Sequence, residues 1–303
     1  MDNKVNLLII GTQKAGTTSL FHYLNQHPDI YFSEVKEVIY FASDEHYKRG
    51  EKYYHSFFPK YKDQKIIASS YVHMLPNPKC PERVKAYNPD MKFIVMLRDP
   101  IKRAMSAYKY AINNNWEDQN NSFKDAFNKE KERLASTSPN YDLTYFYNGL
   151  YYHHLSHWFE YFPKENFLII KDTDLRNNSK QVLISIFDFL GIEKNVEIDT
   201  SKNYNETVEV RSKLVQGILI TKNPLITKTL RTILPRSAKL FVLTKILPQL
   251  RNYNSKKIVQ ENGYSPLNAT PTIEASPSIY NDSLINFFKE DSSKLKQELN
   301  ISF

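Results

Sequence analysis

The sequence predicts an α/β fold in which a parallel β-sheet is flanked by helices on both faces. Three observations carry this. Residues 7–20, LLIIGTQKAGTTSL, run from four apolar β-formers into a Gly/Thr-rich stretch. Apolar residues then resume at helical spacing (Leu20, Phe21, Leu24), the signature of a buried strand, a tight loop and a helix start. Further apolar runs near 66–69, 92–97 and 166–171 are separated by amphipathic stretches long enough for crossover helices. Finally, only 7 glycines beside 41% apolar and 14% aromatic residues argue against an all-β or low-complexity chain.

The first junction has its own chemistry. A strand-to-helix turn offers unpaired N–H groups and the positive end of a helix dipole, which suit a phosphate or sulfate. Gly11 and Gly16 permit the close backbone approach such a loop needs, and Lys14 adds a positive charge. Gln13, Ala15, Thr17, Thr18 and Ser19 complete the cradle, the last three with hydroxyl donors. The loop is P-loop-like but not a nucleoside-triphosphate P-loop, where lysine follows the second glycine. Here Lys14 precedes Gly16 by two residues and Thr17 stands where that lysine would. A plain turn with a solvated lysine is the bland alternative.

The loop helix, about 17–26, stops at His27-Pro28, because proline cannot continue it. A short strand-like step at 29–33 leads into Glu34-Val35-Lys36-Glu37-Val38-Ile39-Tyr40-Phe41. Lys65–Tyr71 reads as a strand, PNPKCP at 76–81 as a loop, and 82–87 as a short helix. Strand 92–97 then ends in Arg98-Asp99-Pro100, with proline placed to open a helix that carries Arg103 and Ser106. An amphipathic helix near 123–134, an aromatic helix over 148–163, strand 166–171 and helix 180–190 stopped by Gly191 follow. Residues 282–299 form a closing helix.

Lone Cys80 makes no internal disulfide, and no Cys/His spacing indicates a metal; the histidines at 153, 154 and 157 read as packing or surface residues. MDNKVN leads straight into a strand, and no apolar run approaches about 18 residues, so the expectation is a soluble cytoplasmic protein. The net charge of +8 is localised: residues 210–260 hold eleven Lys/Arg and no acid. That segment reads as a solvated basic face, or as a contact for a polyanion or a membrane surface. No module or aromatic pattern for reading nucleic acid accompanies it.

GTQKAGTT after an apolar strand resembles the phosphosulfate loop of sulfotransferases that use 3′-phosphoadenosine 5′-phosphosulfate (PAPS), especially the heparan-sulfate type and bacterial relatives. His27-Pro28, Lys36-Glu37-Val38-Ile39-Tyr40-Phe41 and the R-D-P-x-x-R-x-x-S-x-Y pattern from Arg98 to Tyr108 match that family in order and spacing. So do G-x-Y-x-x-x-L-x-x-W from Gly149 and F-L-G-I at 189–192. The resemblance covers most of 5–192. It implies a single sulfotransferase-type domain over 1–303, with a cofactor-binding core at 5–192 and a helical cover at 193–303 containing the basic segment.

It also implies roles. Residues 13–19 would hold the 5′-phosphosulfate, with Lys14 also stabilising the transferring group. Arg98 and Ser106 would grip the 3′-phosphate, and Arg211 would fold over the nucleotide. Glu37 would be the general base, with Glu34 a rival in the same segment. His73 is a second rival, since sulfotransferases for small phenols and steroids use histidine. Asp99 and Arg103 are expected to steady the turn and helix start. Ala68 and Ser70 depart from the family's acceptor strand. The acceptor would be a hydroxyl of a carbohydrate or glycolipid, the product 3′-phosphoadenosine 5′-phosphate (PAP), and no metal is implied. Alternatives are a P-loop-type small-molecule kinase and a nucleotide-binding scaffold without catalysis.

Overall fold

The computed structural model describes residues 4–137, 139–201 and 282–303, together with the backbone of 209–210 and 255–256. Strands β1 (Leu7–Gly11), β2 (Ile30–Glu37), β3 (Ile66–Ser70), β4 (Lys92–Leu97) and β5 (Phe167–Lys171) form one sheet in the order β2-β3-β1-β4-β5. Every pairing is parallel. The predicted strands near 5–10, 66–69, 92–97 and 166–171 are thus all present. The step at 29–33 is longer than expected and forms edge strand β2. Its pairing with β3 shifts register between Phe32 and Glu37.

The helices are α1 (Thr17–Leu24), α2 (Asp44–Tyr47), α3 (Gly50–His55), α4 (Cys80–Tyr87), α5 (Pro100–Asn113) and α6 (Phe123–Leu134). They continue with α7 (Tyr151–Phe159), α8 (Asp172–Asn177), α9 (Ser179–Leu190) and α10 (Asp282–Leu299). Two cores lie against the sheet. On one side Leu7 and Ile9 pack with Leu20 and Leu24 of α1 and Ile186 and Phe187 of α9. On the other, Leu8 and Ile10 meet Tyr54 of α3, Val84 of α4, Trp158 of α7 and Leu295 of α10. Alternate residues of β1 enter opposite cores, which explains its unbroken apolar run.

Contacts divide the chain into two units. The first comprises 1–108, 123–205 and 280–303; the second comprises 109–122 and 206–279. In the second, Trp116 packs edge-on against Tyr110 at 5.4 Å. Strands β6 (Glu209–Val210) and β7 (Ser255–Lys256) of that unit pair antiparallel. Among the described residues no helix is long and apolar enough to cross a membrane.

Within the first unit, α10 is fastened to α7 by a buried carboxylate. Asp291 accepts from the backbone N–H of Tyr152 (3.1 Å) and His153 (2.8 Å), capping α7 from another element. Gly149 leaves room beside this contact, since a Cβ there would sit 2.9 Å from the Phe288 ring. Asp291→Ala removes both acceptors and is expected to cost about 1–3 kcal/mol, read as a lower midpoint in chemical denaturation.

Candidate active site

The strand order reverses direction at β1, whose neighbours are β3 and β4. Ligands of open α/β sheets bind at the carboxyl edge of such a switch point. Loop 12–16 leaves β1 there. Its start is pinned to β4, because both the N–H and Oγ1 of Thr12 donate to the Met96 carbonyl at 2.8 Å. The Ala15 N–H returns to the Thr12 carbonyl (3.2 Å), tightening the turn, and the Ala15 side chain is fully buried. Lys14 adopts φ 68° and Gly16 φ 94°. A non-glycine residue in that region is uncommon and strained. Gly16 is the N-cap of α1 and brings no capping side chain, so Thr17, Thr18 and Ser19 open the helix without one.

Lys14 is the electrostatic centre of the loop. Burial, followed by the nearby Arg98 guanidinium, pushes its ammonium down to about 8. Arg98 follows the last residue of β4, and its Nη1 donates to the Lys14 carbonyl at 3.2 Å. Its own backbone carbonyl accepts from the Tyr151 hydroxyl at 2.6 Å, so α7 steadies the turn. Burial pulls the Arg98 guanidinium down while Asp172 opposes that shift. The site therefore concentrates cationic groups at the mouth of β1 and β4.

Arg98 and the loop are joined directly. Ser106 is half-buried on α5. Asp99 Oδ1 accepts from the Lys102 N–H (2.8 Å) at the start of that helix. Arg103 differs from the expectation that it steadies the same turn. It is fully buried and its Nη2 donates to the Tyr145 carbonyl, tying α5 to the segment before α7. Arg211 and nearly all of 210–260 lie outside the described residues.

Glu37 ends β2, opposite Ser70 of β3. Its Oε1 pairs with the Lys36 ammonium and its Oε2 accepts from the Val72 N–H at 3.0 Å. Both oxygens are thus oriented at the sheet's carboxyl edge. Rival Glu34 is exposed and paired with Lys60 at 2.6 Å. Rival His73 is buried, and its Nε2 lies 2.9 Å from Asp142 Oδ1. The same oxygen accepts from Gln13 Nε2 at 2.7 Å. Asp142 thereby links the loop to the turn after β3, a connection between residues 129 apart that spacing does not reveal.

Two histidines of α7 do different work. His154 Nε2 lies 2.8 Å from the Tyr147 carbonyl, and burial pushes its imidazole down to about 3. His157 Nδ1 lies 3.2 Å from Glu160 Oε2. Among the described residues no group of His, Cys, Asp or Glu is arranged to hold a metal ion.

A parallel sheet with a cationic loop at its switch point is an arrangement that suits an anionic ligand. The chain belongs to the sulfotransferase family, whose domain model matches residues 4–218. It is 31% identical over 201 residues to human heparan sulfate glucosamine 3-O-sulfotransferase 6, a match spanning 66% of this chain and 56% of that protein. It is 26% identical over 267 residues to the membrane-associated sulfotransferase kil1 of Dictyostelium discoideum, covering 62% and 56% respectively. The chain therefore spans little more than half the length of these curated relatives. The crystal structure of a sulfotransferase from Alicyclobacillus acidocaldarius superposes with a TM-score of 0.60 at 27% identity, covering 78% of this chain and 99% of that one.

Proposed function

We propose that this chain transfers the sulfuryl group of PAPS to a hydroxyl of a carbohydrate acceptor. The observation that carries this reading is the half-buried Lys14, its ammonium pushed down by burial, held in the β1–α1 loop with Arg98 on its carbonyl. A polyanionic donor would complement two half-buried cations brought this close together.

In this reading the first turn of α1, from Gly16 to Ser19, holds the 5′-phosphosulfate with N–H and hydroxyl donors, beside Gln13 and Ala15. Arg98 and Ser106 hold the 3′-phosphate, where a planar, permanently charged guanidinium suits a dianion. Arg211 covers the nucleotide. The acceptor oxygen forms a bond to sulfur as the bond between sulfur and the 5′-phosphate oxygen breaks. The acceptor proton passes to the Glu37 carboxylate and PAP leaves. Such a loose in-line displacement depends on positioning and charge stabilisation, which Lys14 supplies at the bridging oxygen.

The carbohydrate acceptor is supported by the similarity to heparan sulfate glucosamine 3-O-sulfotransferases. The proposed setting is the cytoplasm, with segment 210–260 meeting a polyanionic acceptor or the membrane surface that carries a glycolipid one. Its support is charge alone: eleven cations and no acid.

A calorimetric titration with PAP, AMP, ATP and GTP tests the donor. PAP is expected to bind about 10- to 100-fold more tightly than AMP, the increment of one well-held phosphate. Arg98→Ala is expected to abolish most of that increment. Preference for ATP with Mg²⁺ would instead point to a kinase.

A further inference from the structure

A second arginine, which the sequence pattern does not single out, shares an acidic partner with Arg98. β4 and β5 pair in parallel with Leu97 opposite Lys171. The next residue on each strand is therefore placed side by side: Arg98 beside Asp172. Asp172 opens α8, and Arg176 lies one helical turn further on, so its side chain returns over Asp172.

Both guanidiniums converge on one oxygen. Arg176 Nη2 donates to Asp172 Oδ2 at 2.7 Å, while Arg98 Nε lies 3.6 Å from the same atom. This is unlike an ordinary surface pair between adjacent helical turns. The Asp172 side chain is only 8% exposed, and one carboxylate faces two guanidiniums. A positive charge is left in excess, next to the Lys14 carbonyl to which Arg98 also donates. The Arg176 side chain is 45% exposed, so its outer edge is open to a ligand. Arg98's longer contact to Asp172 leaves it the easier of the two to draw onto an arriving anion.

We infer that Arg176 is a second ligand for the 3′-phosphate of the donor nucleotide, held ready by Asp172 beside Arg98. The inference rests on the PAPS reading above. Asp172 keeps the two like charges together. A phosphate dianion then takes up the unmatched charge and is clamped from β4 and α8 together.

The test is titration of wild type and Arg176→Ala with PAP and with AMP, ligands that differ by the 3′-phosphate. In the variant, PAP is expected to bind about 10-fold more weakly while AMP stays within about 2-fold, so the preference for PAP shrinks about 10-fold. The salt dependence of PAP binding should fall with it. Arg176→Gln, which keeps most of the side-chain bulk, should give the same loss and serves if the alanine variant folds poorly. An unchanged PAP-to-AMP ratio, or equal weakening of both ligands, overturns the role of Arg176 and leaves the donor reading standing. Failure of the wild type to prefer PAP overturns both.

Discussion

Lys14→Ala is expected to lower kcat by about 10²- to 10³-fold, the usual loss when a preorganised charge-stabilising group is removed, while PAP affinity changes little. The asymmetry follows from where charge develops. The leaving PAP gains negative charge at the oxygen that bridged to sulfur, so a cation beside that oxygen acts mainly in the transition state. Equal turnover in the variant would sink the role. The pH profile provides a second readout. With its ammonium pushed down to about 8, Lys14 is charged below that pH and neutral above it. kcat/KM of the wild type should therefore fall as pH rises through about 8, and Lys14→Ala should lack that limb.

Stability should move the other way. The folded chain holds fewer protons at Lys14 than the unfolded chain between about 8 and the ordinary lysine value of 10.5. Its share of stability thus rises with pH across that window and is a penalty below it. Lys14→Met is expected to raise the melting temperature at neutral pH, an exchange of function for stability at a strained, half-buried position.

The central frame was legible because its signals are local. LLII running into GTQKAGTT announces a strand buried on both faces and an anion-ready turn, and RDP announces a strand end followed by a helix start. What lay beyond reach depends on register. Nothing in DTDLR says that Asp172 will stand beside Arg98; that follows only once Leu97 is set opposite Lys171. Gln13, His73 and Asp142 likewise meet only through tertiary folding. Arg103 was misplaced for the same reason. Its place just after Asp99-Pro100 suggested that it steadies the turn and helix start, whereas the Tyr145 carbonyl draws it into the interior. Edge strand β2 was underestimated because Ser33, Glu34 and Lys36 break its apolar run, and pairing with β3 compensates.

Glu37→Gln should lower kcat by about 10²- to 10⁴-fold with donor affinity unchanged, since the amide keeps the shape but accepts no proton. The position supports this division. Glu37 ends β2, which is separated from the donor loop's strand by β3, so its loss should leave residues 13–19 and Arg98 undisturbed. Its geometry also suits a base. The Val72 N–H at 3.0 Å fixes one oxygen, and the Lys36 ammonium pairs with the other. Rival carboxylate Glu34 is exposed and spent on Lys60, so Glu34→Gln should turn over like wild type. His73 is distinguished by a different signature. Because Asp142 joins it to Gln13 of the donor loop, His73→Asn should disturb PAP affinity as well as kcat. A kcat loss confined to His73→Asn, with Glu37→Gln fully active, would move the base from β2 to the turn after β3.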